Sequence, residues 1–157
     1  MNKTNVIIFG HGNLAIELIK YIKKYKTKFN LYCVVLSSNS SMFENSLEHY
    51  CVANKILFLN KLNIKNLKKV NKPLIGFSCL YDKILKFNEI KFFDLIINTH
   101  LSYLPSFRGL NPVNWAMKEK KQLGFTLHTI KDHNIDLGNI IIRKKVNKIS
   151  NNIFENT

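Results

Sequence analysis

Asn98 and His100 stand two positions apart at the end of an apolar run, Phe92-Phe93-Asp94-Leu95-Ile96-Ile97. Residues two apart on an extended backbone project from the same face, so a carboxamide and an imidazole would lie side by side. That pair suits chemistry at a polarised carbonyl. The amide N–H can stabilise an oxyanion, and the imidazole can take or give a proton near neutral pH. Asp136 follows in the turn-like stretch IKDHNIDLG, ahead of a second apolar run, Ile140-Ile141-Ile142. A carboxylate beside a histidine raises its basicity and fixes its orientation. A hairpin or a crossover would bring Asp136 to His100; sequence spacing alone does not require it.

The elements that must carry these residues are read from periodicity. Residues 6–9 form a short apolar strand, followed by the turn Gly10-His11-Gly12-Asn13. Leu14, Leu18, Tyr21 or Ile22, and Tyr25 then recur at helical spacing, with Lys20, Lys23 and Lys24 mainly opposite. A strand, a glycine turn and a helix present free N–H groups and a helix dipole where a phosphate can sit. The full G-x-G-x-x-G fingerprint is absent, because Ala15 takes the third glycine's place. A tight turn with no ligand is the competing reading, and His11 reads as a turn residue.

Residues 31–36 and 74–79 read as buried strands and 56–59 as a short one, with a Ser/Asn-rich loop at 37–42. Residues 43–52, 62–70 and 84–90 read as helices, as does 111–118 with Pro112 in its first turn and Trp115 in the core. Strands at 125–130 and 140–145 flank the Asp136 loop. Alternating strands and helices predict an α/β domain of three layers around a Rossmann-like, mostly parallel sheet. Ligands of such sheets collect at the carboxyl ends of the strands. Residues 10–13, 80–83 and 98–100 all fall on that rim. Tyr81 and Lys83 either meet a substrate's ring and phosphate or form a solvated turn. Arg108-Gly109 either fixes an anion or turns the chain. His128 alternates with apolar neighbours and reads as a satisfied structural histidine, and His133 as a loop residue.

The 157 residues, 46% hydrophobic, suit one domain spanning 1–157 with a sizeable core. No run of about 18 apolar residues occurs, and the first residues lack the apolar core of a leader, so a cytoplasmic protein is expected. Cys33, Cys51 and Cys79 show no C-x-x-C pairing, and the histidines show no zinc-ligand spacing. Reduced structural thiols and no metal are expected. The formal charge of +14 invites a nucleic-acid reading, but only Arg108 and Arg143 are arginines and the lysines are scattered. Such a surface attracts a diphosphate as readily as a tRNA.

The motifs N-x-H-x-S-x-L-P-x-x-R-G, N-P-x-x-W-A, G-x-T-x-H and D-x-G-x-I-I occur in this order between Asn98 and Ile141. Together they resemble the folate-dependent formyltransferases, with the match clearest over residues 92–142. The resemblance implies transfer of a formyl group from N10-formyltetrahydrofolate to an amine. It implies an Asn98, His100 and Asp136 catalytic trio and a folate-binding loop at Ser102, Tyr103, Leu104 and Pro105, with Leu80 and Asp132 beside it. It further implies acceptor contacts from Gly12, Asn13, Tyr81, Lys83, Arg108 and Asn111, places His128 near the site, and allows a homodimer. Related formyltransferases continue beyond the NKISNNIFENT tail, so the likeness is to a catalytic core whose C-terminal part is missing.

Three acceptors fit that family. The SYLP, FRG and NPxxW details are most similar to enzymes that formylate nucleotide-linked amino sugars, dTDP- or GDP-linked, for surface polysaccharides such as lipopolysaccharide. The LPSF, GLN and TxH details resemble glycinamide ribonucleotide transformylases. Methionyl-tRNA formyltransferases share the Arg-Gly but carry a further tRNA-binding domain. A binding fragment that holds nucleotide or folate without turnover is the non-enzymatic alternative.

Overall fold

The computed structural model describes residues 3–37 and 47–146. Five strands run parallel: β1 (Thr4–Gly10), β2 (Phe29–Leu36), β3 (Phe58–Leu59), β4 (Leu74–Cys79) and β5 (Leu95–His100). β6 (Gly124–Thr129) and β7 (Ile140–Lys145) add antiparallel at one edge, giving the order β3-β2-β1-β4-β5-β6-β7. The sheet is therefore mixed and mostly parallel.

Alternation along β1 builds the layers. Val6 and Ile8 face a core completed by Ala15, Ile16, Ile19 and Ile22 of α1 (Gly12–Lys24) and by Leu47 and Cys51 of α2 (Leu47–Ala53). Ile7 and Phe9 face the other core, closed by Leu62, Leu67, Val70, Leu85 and Ile90. Both faces of a parallel sheet must be covered in this way. The three cysteines are buried and unpaired, and burial pushes the thiols of Cys33 and Cys79 up to about 12 and that of Cys51 to about 11. None of the three is a poised nucleophile. Among the described residues no helix is long and apolar enough to cross a membrane.

Several sequence expectations need correction. The helix expected at 62–70 is only α3 (Ile64–Leu67), started where Asn63 Oδ1 accepts the Lys65 N–H at 2.9 Å. That expected at 84–90 is only α4 (Phe87–Ile90), because Glu89 Oε2 accepts the Lys86 N–H at 2.8 Å and leaves Ile84 outside. β5 starts at Leu95 rather than Phe92: Phe92 and Phe93 close the turn after α4, and the Asp94 side chain accepts the Leu74 N–H. Trp115 is not core. It is 49% exposed on α5 (Pro112–Lys118), where Ala116 is the buried residue, and Lys118 Nζ lies 5.3 Å from its ring centroid. Part of the helix expected at 43–52 and most of the loop at 37–42 fall outside the described residues.

Candidate active site

The strand order reverses between β1 and β4, which opens a crevice at the carboxyl ends of a doubly wound sheet. A cavity of about 640 Å³ occupies it, reaching His11 after β1, Leu80 to Leu85 after β4, and Asn98 to Leu101 on and after β5. Its other wall comes from residues 109–114, 128–130 and 132–136. Asn98 and His100 lie within β5, so the extended backbone turns both to one face. β6 pairs Asn98 with His128, and the loop from β6 to β7 returns Asp136 to them.

Asp136 is the junction of the site. Its backbone is left-handed, φ 52°, a conformation that aspartate tolerates better than most residues. Oδ2 accepts the Gly109 N–H at 2.8 Å and lies 3.3 Å from His100 Nδ1. Oδ1 accepts from Asn98 Nδ2 at 3.3 Å and lies 3.2 Å from His128 Nε2. The Asp136 side chain is 9% exposed. Burial alone would push its carboxyl up, but bonds from His128 and the Gly109 N–H, with the charge of both histidines, hold it below the usual carboxylate value.

His100 Nε2 lies 2.7 Å from the Phe107 carbonyl oxygen. A carbonyl only accepts, so Nε2 carries the hydrogen and a neutral ring keeps its lone pair on Nδ1, the nitrogen facing Asp136. Asn98 Nδ2, His128 Nε2 and Asp136 Oδ1 form a triangle with edges of 3.0, 3.3 and 3.2 Å. The two hydrogens of a carboxamide diverge by about 120°. One can serve that triangle, which leaves the other for a ligand oxygen.

The remaining candidates separate into two groups. Leu80, Tyr81, Lys83, Asn111 and Asp132 line the cavity with the trio. Burial and the nearby Glu89 and Asp82 push the Tyr81 hydroxyl up to about 12, so it stays protonated and a donor. Gly12, Asn13, Ser102, Tyr103, Leu104, Pro105 and Arg108 do not line it. Ser102 is buried with its hydroxyl on the Ser106 carbonyl, and Thr126 Oγ1 bonds both Ser102 O and the Leu104 N–H. Tyr103 is half-buried beside Gly124 of β6, with Arg143 Cζ 4.5 Å from its ring centroid. Arg108 Nε donates to the Asp136 carbonyl at 3.2 Å, tying one loop to the other.

The residues alone favoured a structural role for His128, with only the family resemblance placing it near the site; that Phe107 O, the Gly109 N–H and Thr129 O orient the cluster was not found from the sequence. The polar partners are backbone groups, which leave no mark in residue type. For His128 the available signal was its step of two from Thr126 on a strand able to pair with β5.

A mixed sheet with its crevice at the switch point defines an α/β domain, and the amide, imidazole and carboxylate gathered there form an arrangement able to move a proton at a polar centre. The chain belongs to the formyl transferase family, whose sequence model matches residues 2–155. It is 35% identical over 145 residues to the bifunctional polymyxin resistance protein ArnA of Wigglesworthia glossinidia brevipalpis, covering 87% of this chain and 22% of that protein. An N-formyltransferase from Helicobacter canadensis, solved in complex with folinic acid and dTDP-3-aminofucose, superposes with a TM-score of 0.72 at 27% identity. That match covers 90% of this chain and 53% of the other. The phosphoribosylglycinamide formyltransferase of Anaplasma phagocytophilum superposes at 0.73 and 26% identity, over 95% and 73% of the two chains. This chain thus spans about a fifth of the ArnA protein and about half of the Helicobacter enzyme.

Proposed function

We propose that this chain transfers a formyl group from N10-formyltetrahydrofolate to the amino group of a nucleotide-linked amino sugar. One observation carries the chemistry: Asn98, His100 and Asp136 meet in one cavity, with His100 held so that Nδ1 is the nitrogen free to take a proton. The folate supplies an activated formyl carbon. Apolar Leu80 and Ile130 with the polar Asp132 offer a wall for a flat ring with a hydrogen-bonding edge. The second Asn98 N–H donates to the formyl oxygen as negative charge grows on it. His100 Nδ1 takes the proton that the attacking amine loses as the new N–C bond forms, and Asp136 stabilises the imidazolium across 3.3 Å; the proton then passes to the folate N10 as its bond to the formyl carbon breaks, releasing tetrahydrofolate. Tyr81 and Lys83 face the same space and suit a sugar hydroxyl and a phosphate.

The amino-sugar acceptor is supported by the likeness to the Helicobacter enzyme bound to dTDP-3-aminofucose. A second reading, glycinamide ribonucleotide as acceptor, is favoured by His11 at the cavity beside the N-terminus of α1, which no side chain caps. The deciding experiment offers the purified chain N10-formyltetrahydrofolate with dTDP- and GDP-amino sugars, glycinamide ribonucleotide and methionyl-tRNA, and follows formyl adducts by mass spectrometry. A formylated amino sugar is the expected result. A formylated ribonucleotide or tRNA moves the assignment to that acceptor, and a folded chain that binds folate yet formylates nothing overturns the enzymatic reading.

A further inference from the structure

A neutral His100 ring has one N–H hydrogen, and two acceptors compete for it. The Phe107 carbonyl lies 2.7 Å from Nε2, and the Asp136 carboxylate lies 3.3 Å from Nδ1. A carboxylate is the stronger acceptor, so the carbonyl keeps the hydrogen on Nε2 only by being held close. With the hydrogen on Nδ1 instead, the lone pair would sit on Nε2 and face Phe107 rather than Asp136. Whatever fixes the Phe107 carbonyl therefore decides which nitrogen of His100 can act as a base.

Phe107 does not hold that position unaided. Its backbone is left-handed, φ 57°, which a bulky side chain disfavours and which persists only where the surroundings impose it. Two buried hydroxyls supply the constraint. Ser102, 1% exposed, donates its Oγ hydrogen to the Ser106 carbonyl at 2.6 Å. That carbonyl belongs to the peptide plane leading into Phe107, so the bond fixes the plane from which Phe107 turns. Thr126, fully buried, donates to the Ser102 carbonyl at 2.7 Å and accepts the Leu104 N–H at 3.1 Å. It stands on β6 directly opposite His100 in the sheet register. The bonds thus run from the strand beside His100, through Ser102 and the loop, and back to the His100 ring.

We propose that Ser102 and Thr126 are positioning residues, which hold the loop 102–107 so that the Phe107 carbonyl keeps the His100 hydrogen on Nε2. Each spends its one hydroxyl hydrogen on the loop backbone, and neither residue lines the cavity. The arrangement gains its use from the formyl-transfer reading, on which the inference rests; the tautomer itself exists without it.

The test is the imidazole nitrogen NMR spectrum of His100 in the whole chain without substrate, recorded where the resonances no longer move with pH. It compares the wild type with Ser102→Ala, Thr126→Val and Thr126→Ser. The wild type and Thr126→Ser, which keeps the hydroxyl, carry the hydrogen on Nε2. In Ser102→Ala and Thr126→Val the carbonyl recedes and the hydrogen moves to Nδ1. Turnover with N10-formyltetrahydrofolate then falls about 10- to 100-fold in kcat, part of the roughly 10²–10⁴ that a general base supplies, while folate affinity holds. Thr126→Ser recovers most of the turnover that Thr126→Val loses. Weakened folate affinity with an unchanged tautomer makes Ser102 a ligand contact and overturns the proposal. A loss of thermal stability alone, with tautomer and kcat kept, overturns it as well. Should neither hydroxyl-free variant fold, the wild type decides: a slowly exchanging Ser102 hydroxyl with the His100 hydrogen on Nε2 upholds the proposal, and hydrogen on Nδ1 overturns it. The tautomer is read without folate or acceptor, so a failure here is separate from a failure of the formyl-transfer assignment.

Discussion

The Asn98 carboxamide has one hydrogen engaged by His128 and Asp136 and one left over, so its loss removes a donor without emptying a core position. Asn98→Ala is expected to lower kcat by roughly 10²–10³ while leaving the thermal midpoint nearly unchanged. Steady-state kinetics and a melt check both; near-normal turnover would take Asn98 out of the reaction. Asp136 differs. Its carboxylate satisfies the partly buried Gly109 N–H and faces two imidazoles, so Asp136→Ala costs about 1–3 kcal/mol of stability as well as turnover. That double effect was not visible in the sequence, where Asp136 looks like a loop carboxylate replaceable without harm to the fold. Asn98 and His100 were legible because both stand on one strand at a spacing of two. Asp136 was a candidate by residue type, but its meeting with His100 was implied only by the resemblance, since its approach depends on how β6, its loop and β7 return. For His128 the pattern alone favoured a structural role, and only the resemblance placed it near the site, because a buried histidine on an alternating strand has the same pattern whether it touches a site or merely fills a core.

At the level of elements, the site depends on how closely β6 and the loop before β7 can approach. Gly138 sits where an added Cβ would fall 1.5 Å from the Thr129 carbonyl oxygen, the same oxygen that accepts from His128 Nδ1. Gly138→Ala must push that strand end away. It should destabilise by about 1–3 kcal/mol and reduce turnover with it, since His128 and Asp136 move together. Gly12, at the start of α1, is the contrasting case: a Cβ there meets nothing within 4 Å, and only its φ of +72° is unfavourable. Gly12→Ala should cost about 1 kcal/mol, read by chemical denaturation, with the catalytic cluster intact. Equal losses in the two variants would contradict the steric account. Strands were the readable elements here, because continuous apolar runs mark a sheet covered on both faces. The short helices were overextended because apolar periodicity continues past their ends, whereas the local bonds of Asn63 and Glu89 decide where they start. Trp115 failed for a related reason: residue type was allowed to stand for burial, while Ala116 takes the inward position.

For the molecule as a whole, the acidic residues are few, ten against 24 basic ones, so the loss of any bonded carboxylate weighs heavily on the acid side. Asp94 and Asp136 are both held below the usual value. For Asp94 the first cause is the backbone bond from Leu74, followed by burial in the opposite sense and the contacts of Lys72. For Asp136 burial opposes the shift, and the His128 and Gly109 bonds with the histidine charges overcome it. A carboxyl depressed by folding binds its proton more readily in the unfolded chain. Its contribution is therefore complete above the unfolded value and is lost as pH falls through the folded one, which for both groups lies below 3.8. Thermal midpoints followed from about pH 6 to about pH 2.5 should fall steeply only below about pH 4. The Asp94 group is half exposed and solvent screens its ion pair with Lys72, so Asp94→Asn should flatten that fall only slightly. Asp136→Asn should lower stability near neutral pH and flatten the acid limb markedly, because the buried group carries the larger share. If Asp136→Asn instead keeps the wild-type slope, the carboxylate is not the acid-sensitive joint between β5, β6 and the loop that completes the site.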